Sequence, residues 1–182
     1  MLEIEEPNLR RNGVFGNYDF LRKVVISTEE TSVTVGPMRP QPLICVTDVE
    51  ASSRWYQRLL GCRSSHGGRQ YEQLVKNGQL ILQLHSFEVE HHHGPIGNPA
   101  ARPYGNGVLL WFEVDDFDAV MQHAAEMGVE IVLPRHRNPP DGDGGPNHWE
   151  CWMRDPDGYT VVVASPYGTA DGNWRPGPDI FA

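Results

Sequence analysis

The apolar positions of this chain form a pattern that occurs twice. Leu43-Ile-Cys-Val-Thr47 is an apolar run of strand length. Asp48 follows as a helix N-cap, with Glu50 in the first turn, where a negative charge suits the helix dipole. Val49, Ser52, Tyr56 and Leu59 recur at helical spacing, and Gly61 stops the helix. Three strand candidates come next: Cys62 to Ser65 closed by His66-Gly-Gly68, Arg69 to Val75 closed by Asn77-Gly78, and Gln79 to Phe87. The order then repeats. Val108 to Val114 reads as a strand, and Asp115-Asp116 caps a helix with the stripe Phe117, Val120, Met121, Ala124 and Met127, stopped by Gly128. Val129 to Leu133 is a strand. His148 to Met153 and Tyr159 to Ala164 flank Asp155-Pro-Asp-Gly158, in which Pro156 presets φ for a turn and Gly158 takes the positive φ that ends it.

Setting Val46-Thr-Asp48-Val-Glu-Ala51 on Val114-Asp-Asp116-Phe-Asp-Ala119 nearly superimposes the two helices and their terminal glycines. The fold class is therefore α+β, built from two tandem β-α-β-β-β modules. The start of the first module, VTDVEASSRWYQRLLG at 46–61, and the turn DPDGY at 155–159 together resemble the vicinal oxygen chelate superfamily. That superfamily holds the glyoxalases, bleomycin-resistance proteins and extradiol dioxygenases. The resemblance covers roughly residues 40 to 166 and implies one cupped mixed sheet with the helices on its outer face.

Outside the modules the pattern weakens. Residues 1–37 read as an N-terminal extension, partly disordered or packed on a partner, with a small hairpin over Leu21–Ile26 and Ser32–Val35. The domain is expected over 38–167, with a Gly/Pro-rich tail over 168–182, where Trp174 is a candidate to tuck onto the domain. Glu88 to Asn106 and Arg135 to Asn147 are too polar and too broken by Gly and Pro for core elements, and read as loops.

A net charge of −9 in 182 residues argues against nucleic acid and anionic membrane as partners. Three scattered cysteines, Cys45, Cys62 and Cys151, fit a reducing cytosol and neither a disulfide framework nor a zinc finger. No apolar run approaches the roughly 20 residues of a membrane helix. The start MLEIEEPNLRR lacks the basic and apolar stretches of a signal peptide. A cytoplasmic location is expected, as is a homodimer, because superfamily members of this length often pair and because exposed strand edges must be covered or blunted.

Enzymes of the superfamily hold a divalent metal on four strands that line the cup. The resemblance places those positions on Gln41, Gln83, Leu109 and Val162. Leucine and valine offer no lone pair, and two neutral amides make a poor site for Zn²⁺, Ni²⁺ or Fe²⁺. No metal is therefore expected at the usual site. Strand alternation instead directs Gln41, Cys45, Gln83, His85, Trp111, Glu113 and Thr160 into the cup, over a floor of Leu109 and Val162. An apolar concavity with a few placed polar groups is a small-molecule site. The plainer alternatives are that Trp111 is core and that Glu113 is a solvated strand end.

The histidines suggest a second chemistry. His148 and Glu150, two apart, share one face of a strand and could act as an acid/base pair. A relocated divalent metal would draw on His85, His93, His148 and Glu150. The stretch LQLHSFEVEHHHG at 82–94, followed by RPYGNGVLLWFEVDDFD and a late His-Trp-Glu, resembles a glyoxalase-like subgroup with a similar His-rich loop, a likeness that carries no activity with it. A loop His triplet is most often solvated, and His123, off its helix's apolar stripe, is expected at the surface. Three readings stay open: a metal-free binder of a small apolar or aromatic molecule; a lyase, isomerase or dioxygenase; and an interaction protein working through residues 1–37.

Overall fold

The computed structural model describes residues 38–87, 94–141 and 145–171. The N-terminal hairpin, His91 to His93 and Trp174 lie outside the described residues. The compact unit considered below begins at Arg39.

Both modules form. In the first, β1 (Leu43–Val46) leads into α1 (Val49–Leu60), β2 (Arg63–Ser64), β3 (Tyr71–Lys76) and β4 (Gln79–Ser86). In the second, β5 (Leu109–Glu113) leads into α2 (Phe117–Met127), β6 (Ile131–Asn138), β7 (His148–Arg154) and β8 (Thr160–Ala164). A short 3₁₀ turn, Thr169–Asp171, follows. Each module hydrogen-bonds as its own four-stranded mixed sheet, in the orders β1-β4-β3-β2 and β5-β8-β7-β6. The two modules thus give two sheets with identical internal order. In each, the first and last strands run parallel and the remaining pairs antiparallel.

Local chemistry explains the helices. The Asp48 carboxylate accepts from the Ala51 amide at 2.8 Å, and Asp116 accepts from Ala119 at 2.9 Å. Gly61 and Gly128 end their helices in the left-handed region, each at φ 62°. Helix α1 packs on β3 and β4 and against α2.

One apolar core runs through both modules. It includes Ile44, Val46, Leu82 and Leu84 with Tyr56 and Leu59 of α1, and Leu110, Met153, Val161 and Val163 with Phe117 and Val120 of α2. Burying each such Leu, Val or Phe side chain contributes roughly 1.5–3 kcal/mol. The alternation leaves Leu43, Gln83, Leu109 and Trp111 on the face away from the helices.

The Asp155–Gly158 turn joins the modules. Asp157 accepts from the Thr47 amide at 3.0 Å and the Thr47 hydroxyl at 2.7 Å, at the entrance to α1. Tyr56 donates to Asp155 at 2.8 Å, and Tyr159 donates to the Cys45 carbonyl at 2.9 Å. Asp155 also accepts from the Asp157 and Tyr159 amides, which closes the turn on itself.

Three expectations need correction. Residues 135–138, read as loop, are the end of β6: His136 pairs with Glu150 and Asn138 with His148. The ladder shifts register on both sides of Leu133, and Pro134 falls in the second shift, where no ladder bond is asked of its nitrogen. Edge position explains how so polar a run can be strand. The connection between the modules also contributes to the core, since Tyr104 is buried against Phe87 and Tyr159. His123, expected at the surface, is half-buried, its Nδ1 3.3 Å from the Leu59 carbonyl where the helices meet.

Candidate functional site

On the second sheet, the face away from the helices carries residues in rows set by strand register. One row is Trp111, Val162 and Trp152; the next is Leu109, Thr160 and Arg154. On the other side of the tryptophan row lie Glu113, Ala164, Glu150 and His136. Trp111 is 45% exposed, a large apolar surface that a folded domain would ordinarily hide. Val162, by contrast, is 0% exposed between its two indole neighbours.

Glu150 is the charged centre of this face and is itself 1% exposed. Its carboxylate accepts from His148 Nε2 at 2.8 Å, from Trp152 Nε1 at 3.1 Å and from the Asn138 amide. His136 Nε2 stands 3.5 Å away on the same carboxylate. Burial alone would raise the Glu150 pKa, but the Asn138, Trp152 and His148 donors outweigh it and hold the carboxyl below its usual value. The carboxylate in turn fixes its neighbours. It orients the Trp152 indole, and it sets the His148 tautomer, because an acceptor facing Nε2 requires the hydrogen there. His148 Nδ1 is left buried and without a hydrogen-bond partner. The imidazole stacks on Trp111 at 6.1 Å between ring centres, with Tyr167 at 5.6 Å.

The first sheet carries a separate polar group. Tyr71 donates to the Gln83 side-chain oxygen, while Gln83 Nε2 donates to the Gln41 carbonyl at 3.1 Å. Gln73 donates to the Tyr71 hydroxyl at 2.9 Å, and Tyr71 sets its edge toward His85 at 6.2 Å. His85 is buried, with Nδ1 2.7 Å from the Ser86 carbonyl.

The sequence-predicted residues therefore separate. Trp111, His148 and Glu150 are brought together. Thr160 lies one row away, accepting from Arg154. The Gln83 side chain reaches only the backbone carbonyl of Gln41, just before β1. Glu113 is exposed. The buried Cys45 thiol donates to the Ile96 carbonyl at 3.1 Å, and burial raises its pKa. Trp152, Asn138, Arg154 and Tyr167 went unpredicted. Counting in twos from His148 would have found Trp152 and Arg154.

The superfamily's sequence pattern matches residues 39–163, more than half of the chain. The chain belongs to the Glyoxalase/Bleomycin resistance protein/Dioxygenase superfamily. Among solved structures, a glyoxalase/bleomycin resistance protein/dioxygenase from Nocardioides is similar with TM-score 0.55 and 21% identity, over 80% of this chain and 91% of that one. A virulence protein from Salmonella typhimurium is similar with TM-score 0.54 and 21% identity, over 73% and 99%. A lactoylglutathione lyase from Agrobacterium tumefaciens has TM-score 0.53 and 16% identity, over 72% and 96%. At these identities the likeness is one of fold. None of the curated proteins matches the chain.

Membership raises the question of the metal. The four positions on which the resemblance puts the superfamily's ligands do not make a donor set. Leu109 and Val162 carry no lone pair, and Val162 is fully buried in the strand row between Trp111 and Trp152. Gln83 already uses both ends of its amide, on Tyr71 and on Gln41. The alternative set of His85, His93, His148 and Glu150 fares differently. His93 lies outside the described residues, and among the described residues no three His, Cys, Asp or Glu gather to hold an ion. His85 does not join His148 and Glu150 in such a group.

Proposed function

We propose that this superfamily member binds a small apolar or aromatic molecule on the open face of its second sheet, without using the superfamily's usual metal. The exposed Trp111 indole carries the reading, because it stands beside Trp152 and His148 on a surface whose Val162 floor is already closed. A flat ligand would lie on that indole and remove apolar area from water, with Glu150 holding the surrounding rings in place. Covering one such side chain is worth roughly 1.5–3 kcal/mol, so Trp111→Ala should weaken binding by about tenfold or more. A thermal-shift screen of small aromatic compounds, followed by calorimetry on wild type and Trp111→Ala, tests it. Equal affinity in the two proteins would move the site elsewhere.

One observation favours a second reading, in which the same face catalyses proton transfer. His148 presents a buried, unpartnered Nδ1 while Glu150 holds the opposite nitrogen, an arrangement that suits a general base. Hydrogen–deuterium exchange into a bound compound, lost in His148→Gln with binding retained, would support it. Exchange that is absent in wild type, or that persists in His148→Gln, would dismiss it.

A further inference from the structure

Beyond the tryptophan row, the same face opens into a cavity of about 560 Å³ lined by Leu109, Thr160, Arg154, Arg102, Tyr104 and Glu130, among others. Two arginines line it, in a chain whose net charge is −9. Both are anchored on successive carbonyls of one turn. Arg102 donates to the Asp157 carbonyl at 3.4 Å, and Arg154 to the Gly158 carbonyl at 3.2 Å. Arg102 is steadied by the Tyr104 ring, 4.3 Å away, and Arg154 by the Thr160 hydroxyl.

The nearby carboxylates are committed elsewhere. Asp155 and Asp157 are buried and accept from Tyr56, Thr47, Ser52 and the backbone of their own turn. They line the same cavity, as does Glu130, which is exposed on the wall. Each guanidinium has five N–H donors. The described bonds of Arg102 and Arg154 leave most of them for a planar, singly charged acceptor, which two arginines recognise well.

We propose that this cavity is an anion subsite continuous with the tryptophan row, and that the ligand is an aromatic carboxylic acid. The proposal rests on the aromatic-binding reading above and gives it a substrate class. Leu109, Thr160 and Arg154 are each two residues along their strands from Trp111, Val162 and Trp152. At about 3.3 Å per residue the two rows lie roughly 7 Å apart. That span suits an aryl ring joined to a carboxylate by a short spacer.

The test compares 3-phenylpropanoate with its neutral amide by calorimetry at low salt. It uses the full chain as wild type, Arg102→Gln, Arg154→Gln, Arg154→Lys and Trp111→Ala, with inorganic phosphate as the ring-free anion. The acid should bind at least tenfold more tightly than the amide. Either glutamine variant should remove that preference, and Arg154→Lys should keep part of it. Trp111→Ala should weaken acid and amide alike.

Equal binding of acid and amide in wild type would overturn the anion subsite and leave the aromatic reading standing. An arginine-dependent preference, with the affinities of acid and amide both unchanged in Trp111→Ala, would keep the subsite and sink the aromatic reading. Phosphate binding more tightly than the acid would overturn the assignment to a carboxylic acid, and binding of neither organic probe would overturn both proposals. Circular dichroism melts check folding. If Arg154→Gln does not fold, Arg102→Gln and Arg154→Lys decide the question.

Discussion

The hydroxyl of Tyr56 lies 2.8 Å from the carboxylate of Asp155, a bond between residues 99 positions apart that ties the first helix to the last hairpin. Both groups are buried, and burial comes first in raising both pKa values. Tyr56→Phe removes the donor and leaves a buried carboxylate one partner short. The expected loss is about 1–3 kcal/mol in urea unfolding at pH 7. The loss should shrink in acid, because the Tyr56 bond works against burial to lower the Asp155 pKa, so protonating that carboxyl restores more stability to the variant than to wild type. A Tyr56→Phe protein as stable as wild type would show that the bond contributes nothing.

Glu72 should behave in the opposite sense. Burial would raise its pKa, but the Gly67 and Gln73 amides and the Ser64 and Ser53 hydroxyls bring it down from 4.5 to about 2. A depressed carboxyl stabilises the fold above its unfolded pKa, and the contribution is lost as pH falls from 4.5 toward 2. The size at neutral pH is on the order of 3 kcal/mol. Glu72→Gln should therefore cost most of that at pH 7 and much less near pH 2. Parallel unfolding curves at both pH values would refute the assignment.

Metal content offers a third check. Protein prepared without a His-tag or nickel resin should carry no stoichiometric divalent metal at Gln41, Gln83, Leu109 and Val162. Elemental analysis that found one equivalent, lost on Gln83→Ala, would reverse this.

The β6 edge leads to a fourth. Ile131, Val132 and Leu133 are all exposed on this edge strand, and such an edge favours pairing with another chain. A homodimer is expected, with Val132→Lys shifting it toward monomer. Sedimentation velocity at micromolar concentration decides, and a wild-type monomer would count against it.

Much of the fold was legible because its causes are local. Asp48 and Gly61, or Asp116 and Gly128, bound a helix through bonds to residues within a few positions. Alternation separated Leu82 and Leu84 from Gln83 for the same reason. The spacing of His148 and Glu150 put them on one face, and they do bond. What escaped was set at a distance or by an edge. The partners of Asp157, Thr47 and Ser52, are 110 and 105 residues away. The polar end of β6 did not resemble a strand, so Asn138 could not be placed on Glu150. Arg102 and Arg154 share a cavity only because Asp157 and Gly158 offer them adjacent carbonyls.

Gly105 crosses the Tyr159 ring so closely that a Cβ built there would sit 2.5 Å from a ring carbon, at a φ of +63°. The same tyrosine reaches the Cys45 carbonyl with its hydroxyl. Its ring therefore works as a spacer of fixed thickness, with the connecting segment on one side and the first sheet at its tip. A methyl group at position 105 would act as a wedge, transmitting a displacement of ångström scale along a rigid phenol to a strand sixty residues earlier in the chain. The width of the seam between the two modules is thus gauged by one hydrogen atom where any other amino acid would place a carbon.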